Sequence, residues 1–221
     1  MRRDSKLYDV LIASPLIVLL LRGAYDAIQR IAGAMTLIVA GSHPPDLILA
    51  MLSSILLLAF LWFQIVLFFV RQLPARKSES IVVKIVALLG SQSVALISLL
   101  QPANAAPSLQ IVSLVITVIG LFGSCYALWY LGRAFSILPE ARVLVVRGPY
   151  RFMRHPLYFF ETLAFFGISL VYQQPLAALL VLLVITAQVI RMGYEERVLA
   201  AQFPAYADYA RNTARVIPLV Y

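Results

Sequence analysis

Three stretches of the chain run apolar almost without interruption, at positions 46–70, 81–100 and 108–131. Each spans roughly 20 residues or more, the length a helix needs to cross a hydrocarbon core about 30 Å thick. Backbone in hydrocarbon must satisfy its own hydrogen bonds, so these runs predict helices. The period-two alternation of a membrane β-barrel is absent. Two further runs, about 157–172 and 175–192, flank Gln173-Gln174-Pro175 and predict a tight helical hairpin. Each arm is short for a full span, which tilting or snorkelling ends accommodate. The first 45 residues hold two shorter runs, 10–21 with Pro15 inside it and 27–41. Either both cross, or one lies at the interface. The pattern therefore predicts an all-α integral membrane bundle of five to seven segments. Residues 1–131 read as scaffold and lipid-facing wall, and 132–221 as the chemical region of one structural domain.

Charge changes that picture by giving it a direction. The chain is 62% hydrophobic and 13% charged, about half the charge of an ordinary soluble domain. Eighteen Lys and Arg against ten Asp and Glu leave a net charge of +8. Such a balance can mark a nucleic-acid partner, but the basic residues are not spread over one surface. They gather at 2–6, 71–84, 132–156 and 191–215, with Arg22 and Arg30 between, and none lies in 41–46, 101–108 or 173–175. Basic loops stay on the cytoplasmic side, so loops 71–80 and 132–156 and the C-terminal tail are expected inside. Loops 101–107 and 173–175 are then outside. This bias accounts for the charge without nucleic acid, and an inner membrane of bacterial type fits it. The start Met1-Arg2-Arg3-Asp4-Ser5-Lys6 followed by an apolar run is like a secretory signal. No small-residue cleavage site follows, so the segment is expected to be retained. Cys125, the single cysteine, permits no internal disulfide and no cysteine-based metal site, and reads as a small buried residue.

Unusual chemistry begins after Gly132. Residues 132–156 form a basic loop punctuated by Gly and Pro between two apolar helices. Arg147-Gly148-Pro149-Tyr150 should turn, since Pro fixes φ and Gly permits unusual backbone angles. Pro156 then suits the first turn of the next helix, where a missing N–H costs nothing. A helix N-terminus favours anions, and Arg151, Arg154 and His155 add positive or donor groups there. A cofactor carboxylate or phosphate fits this corner, although Arg142 and Arg151 are equally suited to lipid headgroups. Tyr158 and Glu161 follow His155 at spacings of three, on one helix face. A carboxylate this far into an apolar helix is a functional candidate, or else an ion-pair partner of a loop arginine. The second cluster is Arg191-Met192-Gly193-Tyr194-Glu195-Glu196-Arg197 at the end of the hairpin. Arg191 and Glu195 can pair at i,i+4, while Glu196, Leu199 and Phe203 form an inward stripe that Pro204 ends. A buried Glu196 needs partners, such as ribose hydroxyls or an ammonium. Tyr206 and Tyr209 look amphipathic, as interfacial aromatics do. One cluster starts the hairpin and the other ends it, so both reach the same membrane face. The pocket between them has a basic end, an acidic end and aromatic walls, and opens sideways to lipid.

These residues carry a resemblance. Arg147-Gly-Pro-Tyr150, Arg154-His-Pro-Leu-Tyr158, Glu195-Glu196, and Phe203, Tyr206, Tyr209 and Arg215-Val-Ile-Pro218 resemble the isoprenylcysteine carboxyl methyltransferase family, which is related to the phospholipid methyltransferases. Leu131-Gly-Arg-Ala-Phe-Ser136 fits the upstream part. The resemblance covers roughly the last 90 residues and none of the first 120 or so. It implies a multi-helix membrane enzyme that binds S-adenosylmethionine near its cytoplasmic face. Carried onto this chain, the cofactor-holding positions are Tyr150, His155, Pro156, Tyr158, Glu195 and Glu196. Arg154 and Arg191 become partners for the methionyl carboxylate or the acceptor, and Glu161 or Glu196 the base where the acceptor needs one. Members often carry Gly where this chain has Phe160, a change expected to narrow or reshape the pocket, and Ala134 stands where a larger or polar residue is expected. A lipid, an isoprenoid or a small apolar acid or amine is the expected acceptor.

Methyl transfer from a sulfonium needs mainly alignment and exclusion of water, with Tyr158 and nearby aromatics available for cation–π contact. Two other readings share the pattern. A steroid-reductase-like membrane enzyme would use NADPH, with loop arginines on its phosphates. A non-catalytic lipid-binding or scaffolding protein would bind neither cofactor.

Overall fold

The computed structural model describes residues 6–41, 45–71, 76–77, 105–136 and 140–218, together with positions 86, 97, 100 and 103. Among the described residues six α-helices have given bounds: α1 (Lys6–Val39), α2 (Pro45–Val70), α3 (Pro107–Leu131), α4 (Pro156–Ser169), α5 (Pro175–Gln202) and α6 (Tyr206–Asn212). The four from α2 to α5 all begin at a proline, where the fixed φ pre-forms the first turn and the absent N–H would have been unpaired anyway. The only strands among the described residues are a two-residue antiparallel ladder of β1 (Arg76–Lys77) with β2 (Glu140–Ala141), in register Arg76 with Ala141. It ties the segment after α2 to the loop after α3.

Two expectations change in detail. The runs 10–21 and 27–41 are one continuous helix of 34 residues, about 50 Å long at 1.5 Å per residue. The helix passes through Pro15 and Arg22, so the interruptions in hydropathy are not interruptions in backbone. The hairpin also differs. Its first arm ends at Ser169, and its second runs ten residues past Met192 to Gln202, so Glu195 and Glu196 are helical. Three described helical segments are long and apolar enough to cross a membrane: Asp46–Val70, Pro107–Ala134 and Pro175–Gln202. The expected segment 81–100 lies almost wholly outside the described residues, as do positions 101, 102 and 104 of the loop 101–107.

The most extensive interface is between α3 and α4, and small residues make it possible. A Cβ on Gly120 would stand 2.4 Å from the Ala164 amide nitrogen, and one on Gly123 would stand 2.2 Å from the Phe160 ring. Close backbone approach through small residues is how helices associate where lipid removes the hydrophobic drive. The Ser113 hydroxyl crosses the same seam to donate to the Gly167 carbonyl at 2.7 Å. At one end of the bundle Leu20, Ile65, Leu67, Phe68, Ala127, Leu128, Phe135, Tyr150 and Leu157 form a buried cluster. It joins α1, α2, α3 and the start of α4 to the loop that carries Tyr150. Large apolar side chains such as Trp62, Phe122, Trp129, Leu179 and Leu182 are exposed, as a lipid-facing perimeter requires.

Candidate functional site

The loop between α3 and α4 is shaped before any ligand arrives. Gly148 has φ +59° and opens a single 3-10 turn, Gly148–Arg151. A Cβ there would lie 2.4 Å from the Tyr130 ring, so both conformation and space require glycine. The turn buries Tyr150, whose carbonyl accepts a hydrogen bond from the Tyr209 hydroxyl at 2.6 Å. The following residues are held by the C-terminal tail. Arg154 N–H donates to Ala214 O at 2.8 Å and His155 N–H to Arg215 O at 3.1 Å, beside a parallel bridge of Met153 with Ala214. The backbone at the entrance to α4 is therefore clamped from two sides.

That clamp aims two side chains at α5. His155 occupies the N-cap position of α4 without capping it, and its Nε2 lies 3.0 Å from Glu196 Oε1. The carboxylate calls for the ring proton on Nε2. The same oxygen receives Arg154 Nη1 at 3.1 Å and Arg215 Nε at 3.2 Å. Three donors converge on one carboxylate oxygen, and charge-assisted bonds of this kind are the strong ones. One turn along α4, the Tyr158 ring stacks on His155 with centroids 5.5 Å apart and planes 6° apart. Its hydroxyl donates to Glu195 Oε2 at 2.7 Å. The adjacent glutamates are thus divided, Glu196 to the arginines and histidine and Glu195 to the tyrosine.

A second chain of contacts runs deeper between α4 and α5. Gln188 Nε2 donates to Glu161 Oε2 at 3.0 Å, while Gln188 Oε1 accepts from Arg191 Nη1 at 2.9 Å. The Arg191 guanidinium sits 4.7 Å from the Tyr158 ring centroid. Gln188 and Arg191 are both buried, so this polar relay is enclosed by the helices. Tyr158 joins the two networks, with His155 stacked on it and Arg191 over its ring.

Two cavities share one wall. The larger, about 150 Å³, is bounded by α1 to α5 and reaches from Leu57 and Leu61 past Glu161 and Gln188 to Arg191. The smaller, about 40 Å³, lies on the loop side, bounded by Val143, Leu144, Val145, Leu199, Tyr206 and Tyr209. Leu131, Ala134, Tyr150, Arg154, His155 and Glu195 line both. Arg154 Nε is buried there without a hydrogen-bond partner, a donor left over where the protein's own contacts end, and the buried Tyr206 hydroxyl lies beside the Arg154 guanidinium. Burial, with the Glu195 charge adding, pushes the Tyr150 phenol well above its ordinary value. Burial first and Glu196 next push Tyr206 up to about 12, against the opposing pull of Arg154. Tyr209 is raised as well, by burial and then by Tyr206. These phenols are neutral donors over the whole physiological range.

Of the residues singled out in the sequence, Tyr150, Arg154, His155, Tyr158, Glu161, Arg191, Glu195 and Glu196 all meet in this one region, and Pro156 is buried beneath it as the first residue of α4. Arg151 does not join them; it is exposed, with its guanidinium 4.8 Å from the Phe152 ring. Tyr206 and Tyr209 are part of the wall and not interfacial anchors. Phe160 packs on Gly123 and lines neither cavity. The expectation that it narrows the pocket is therefore corrected, because its position on α4 turns the ring toward α3. Ala134 does line both cavities. Sequence reasoning gave no role to Gln188 or Arg215. The first had a signal, a glutamine in an apolar helix three residues before Arg191. The second belonged to the run Arg215-Val-Ile-Pro218, but nothing local showed that it meets Glu196 nineteen positions away. Among the described residues no group of three His, Cys, Asp or Glu side chains is arranged to hold a metal ion.

The comparisons with known proteins fall on the same part of the chain. The family model described as phospholipid methyltransferase matches residues 104–205. The cobalt-zinc-cadmium resistance protein CzcN of Cupriavidus metallidurans is 35% identical over 115 residues, covering 48% of this chain and 51% of that protein. The chain thus spans about half the length of the curated relative it matches. Since residues 104–205 supply α3, the loop, α4 and α5, the part of the chain that builds the shared wall is similar to the phospholipid methyltransferase family, a family of membrane methyltransferases.

Proposed function

We propose that the protein is an S-adenosylmethionine-dependent methyltransferase that acts on a lipophilic acceptor at the cytoplasmic face of the membrane. The observation that carries this reading is the wall of Tyr150, Arg154, His155 and Glu195, common to an embedded cavity and a loop-side one. A reaction between a water-soluble donor and a membrane-dissolved acceptor needs such a boundary, reached from both sides. The fit to the donor rests on its chemistry. Its carboxylate suits Arg154, whose Nε is left over. Its ribose hydroxyls suit the Glu195 carboxylate, and its adenine suits the apolar and aromatic lining of Val143, Val145, Leu199 and Tyr206. When bound, S-adenosylmethionine supplies a methyl group on a sulfur already activated as a leaving group.

The chain's own residues orient and shield. Glu196 fixes Arg154 and His155 through its Oε1, so the donor meets a preformed corner and little ordering is left to binding. Tyr150, which lines both cavities, supplies an aromatic ring that stabilises a positive charge, while the Tyr158 ring is held between His155 and Arg191. The helices around the larger cavity exclude water, which would otherwise compete as nucleophile. Calorimetry of detergent-purified protein with S-adenosylhomocysteine, and separately with NADPH, tests the reading. Micromolar binding of the first alone is expected, with both His155→Ala and Glu195→Gln weakening it while the protein stays folded. Binding of NADPH alone, or of neither by folded protein, overturns it.

A further inference from the structure

The larger cavity is apolar over most of its surface, yet α2, α3, α4 and α5 each contribute a polar side chain to its lining: Gln64, Ser124, Glu161 and Gln188. Ser124 stands apart from the other helix hydroxyls. Ser54, Thr117 and Thr186 all donate to the carbonyl four residues back in their own helix, the usual way a hydroxyl in an apolar helix is satisfied. Ser124 does not. It is 1% exposed, and its Oγ has no hydrogen-bond partner. A buried hydroxyl left unpaired is costly, and nothing in the packing of α3 needs one, since alanine would fill the same space. It lies seven residues before the end of α3, about 10 Å down the helix from the loop.

We infer that the larger cavity holds the polar head of the acceptor between Ser124, Gln64 and the Gln188–Glu161 pair, and that this head is a hydrogen-bond donor, a hydroxyl or an amine, and not a carboxylate. The proposal rests on the methyltransferase reading and names the class of acceptor for it. Charge decides between the classes. The lining carries two acidic groups, Glu161 and Glu195, and two basic ones, Arg154 and Arg191. Arg154 is paired with Glu196, and Arg191 is bridged to Glu161 through Gln188. With the donor carboxylate already placed on Arg154, no positive surplus is left for a second anion in the chamber, and an unpaired buried charge is heavily disfavoured. A hydroxyl or amine instead meets acceptors it can satisfy, the Ser124 oxygen, the Gln64 amide and the Glu161 carboxylate. The rest of the chamber, Leu20, Leu57, Phe60, Leu61 and Leu121 among it, suits a hydrocarbon tail.

Three probes with one tail separate the classes: 1-dodecanol, dodecylamine and dodecanoate. Each is added to purified protein at fixed detergent concentration, with and without S-adenosylhomocysteine, and thermal unfolding is followed. Dodecanol or dodecylamine is expected to raise the unfolding temperature, and dodecanoate to leave it unchanged. Ser124→Ala should weaken the favoured probe about tenfold while retaining S-adenosylhomocysteine affinity. Glu161→Gln removes the charge that repels an acid, so dodecanoate should begin to stabilise that variant. Wild-type preference for dodecanoate, no stabilisation by any probe, or indifference of all three to Ser124→Ala would each overturn the inference. Loss of the donor reading is a separate outcome. It would appear as absent S-adenosylhomocysteine binding alongside Ser124-dependent binding of the alcohol or amine.

Discussion

The two sides of the shared wall are built by different means. On the loop side, the wall comes from residues close in sequence, the turn Gly148–Arg151 and the run Arg154-His155-Pro156, closed by the tail through Ala214, Arg215 and Tyr209. On the embedded side, the lining is gathered from all five helices α1 to α5, beside the seam where α3 and α4 approach closely at Gly120 and Gly123. A site that grips a shared donor can be written as a motif. A site that chooses an acceptor is written across helices, where single positions can change without disturbing the motif.

The contrast can be broken most strongly at Glu196. With Gln at that position, Arg154, His155 and Arg215 lose the charge they converge on. Donor affinity is expected to fall at least about tenfold, roughly 1.4 kcal/mol, with the embedded cavity undisturbed. Calorimetry with S-adenosylhomocysteine reads the loss, and unchanged affinity would remove Glu196 from the site. The embedded side breaks differently. Gly120→Val drives a side chain into Ala164 and should cost about 1–3 kcal/mol, as overpacking does. The unfolding temperature should drop by several degrees, and an unchanged temperature would mean that α3 and α4 do not pack as closely as described.

Arg215 sharpens the comparison, since it reaches Glu196 from the tail. Arg215→Ala should weaken donor binding by about 1 kcal/mol, the net scale of one hydrogen bond, and Arg215→Lys should recover part of it. A purely structural tail would lower the unfolding temperature equally in both variants without that split in affinity. The smallest effect concerns alkali. Burial raises Tyr206 from 10 to about 12, so its neutral form is favoured in the folded protein. That contribution is complete below pH 10 and lost as pH rises from 10 toward about 12. Unfolding temperature measured across this window should fall less steeply in Tyr206→Phe, and parallel curves would mean the phenol is not buried.

How much of this was legible in the sequence follows the same division. The apolar runs 46–70 and 108–131 became α2 and α3 nearly at the expected bounds, because helix formation in an apolar run depends on near neighbours, while α5 started where expected and ran on to Gln202. The Pro-led starts and the Gly148 turn were readable for the same reason. The joining of 10–21 and 27–41 into one helix was not, since hydropathy tracks burial and not backbone continuity. The loop residues Arg154, His155 and Tyr158 were found from consecutive letters, and Glu195 and Glu196 from their place at the end of the hairpin. Gln188 offered a signal that a longer stripe would have used. Ser124 and Gln64 offered none, because lone polar residues in apolar helices more often satisfy their own backbone.

By itself the sequence determined the helical membrane character, the polarity of the loops as an expectation, and the residue types gathered at the loop-side wall. All are consequences of local periodicity, turn chemistry and charge count. Only the tertiary structure decided that His155 meets Glu196 across 41 positions and that Arg215 joins them. It also decided that Phe160 turns to Gly123 and away from the cavities, and that Ser124 is left unpaired in the larger one. Contacts between distant positions depend on how helix faces rotate and how closely backbones approach, and that is fixed by packing of the whole bundle.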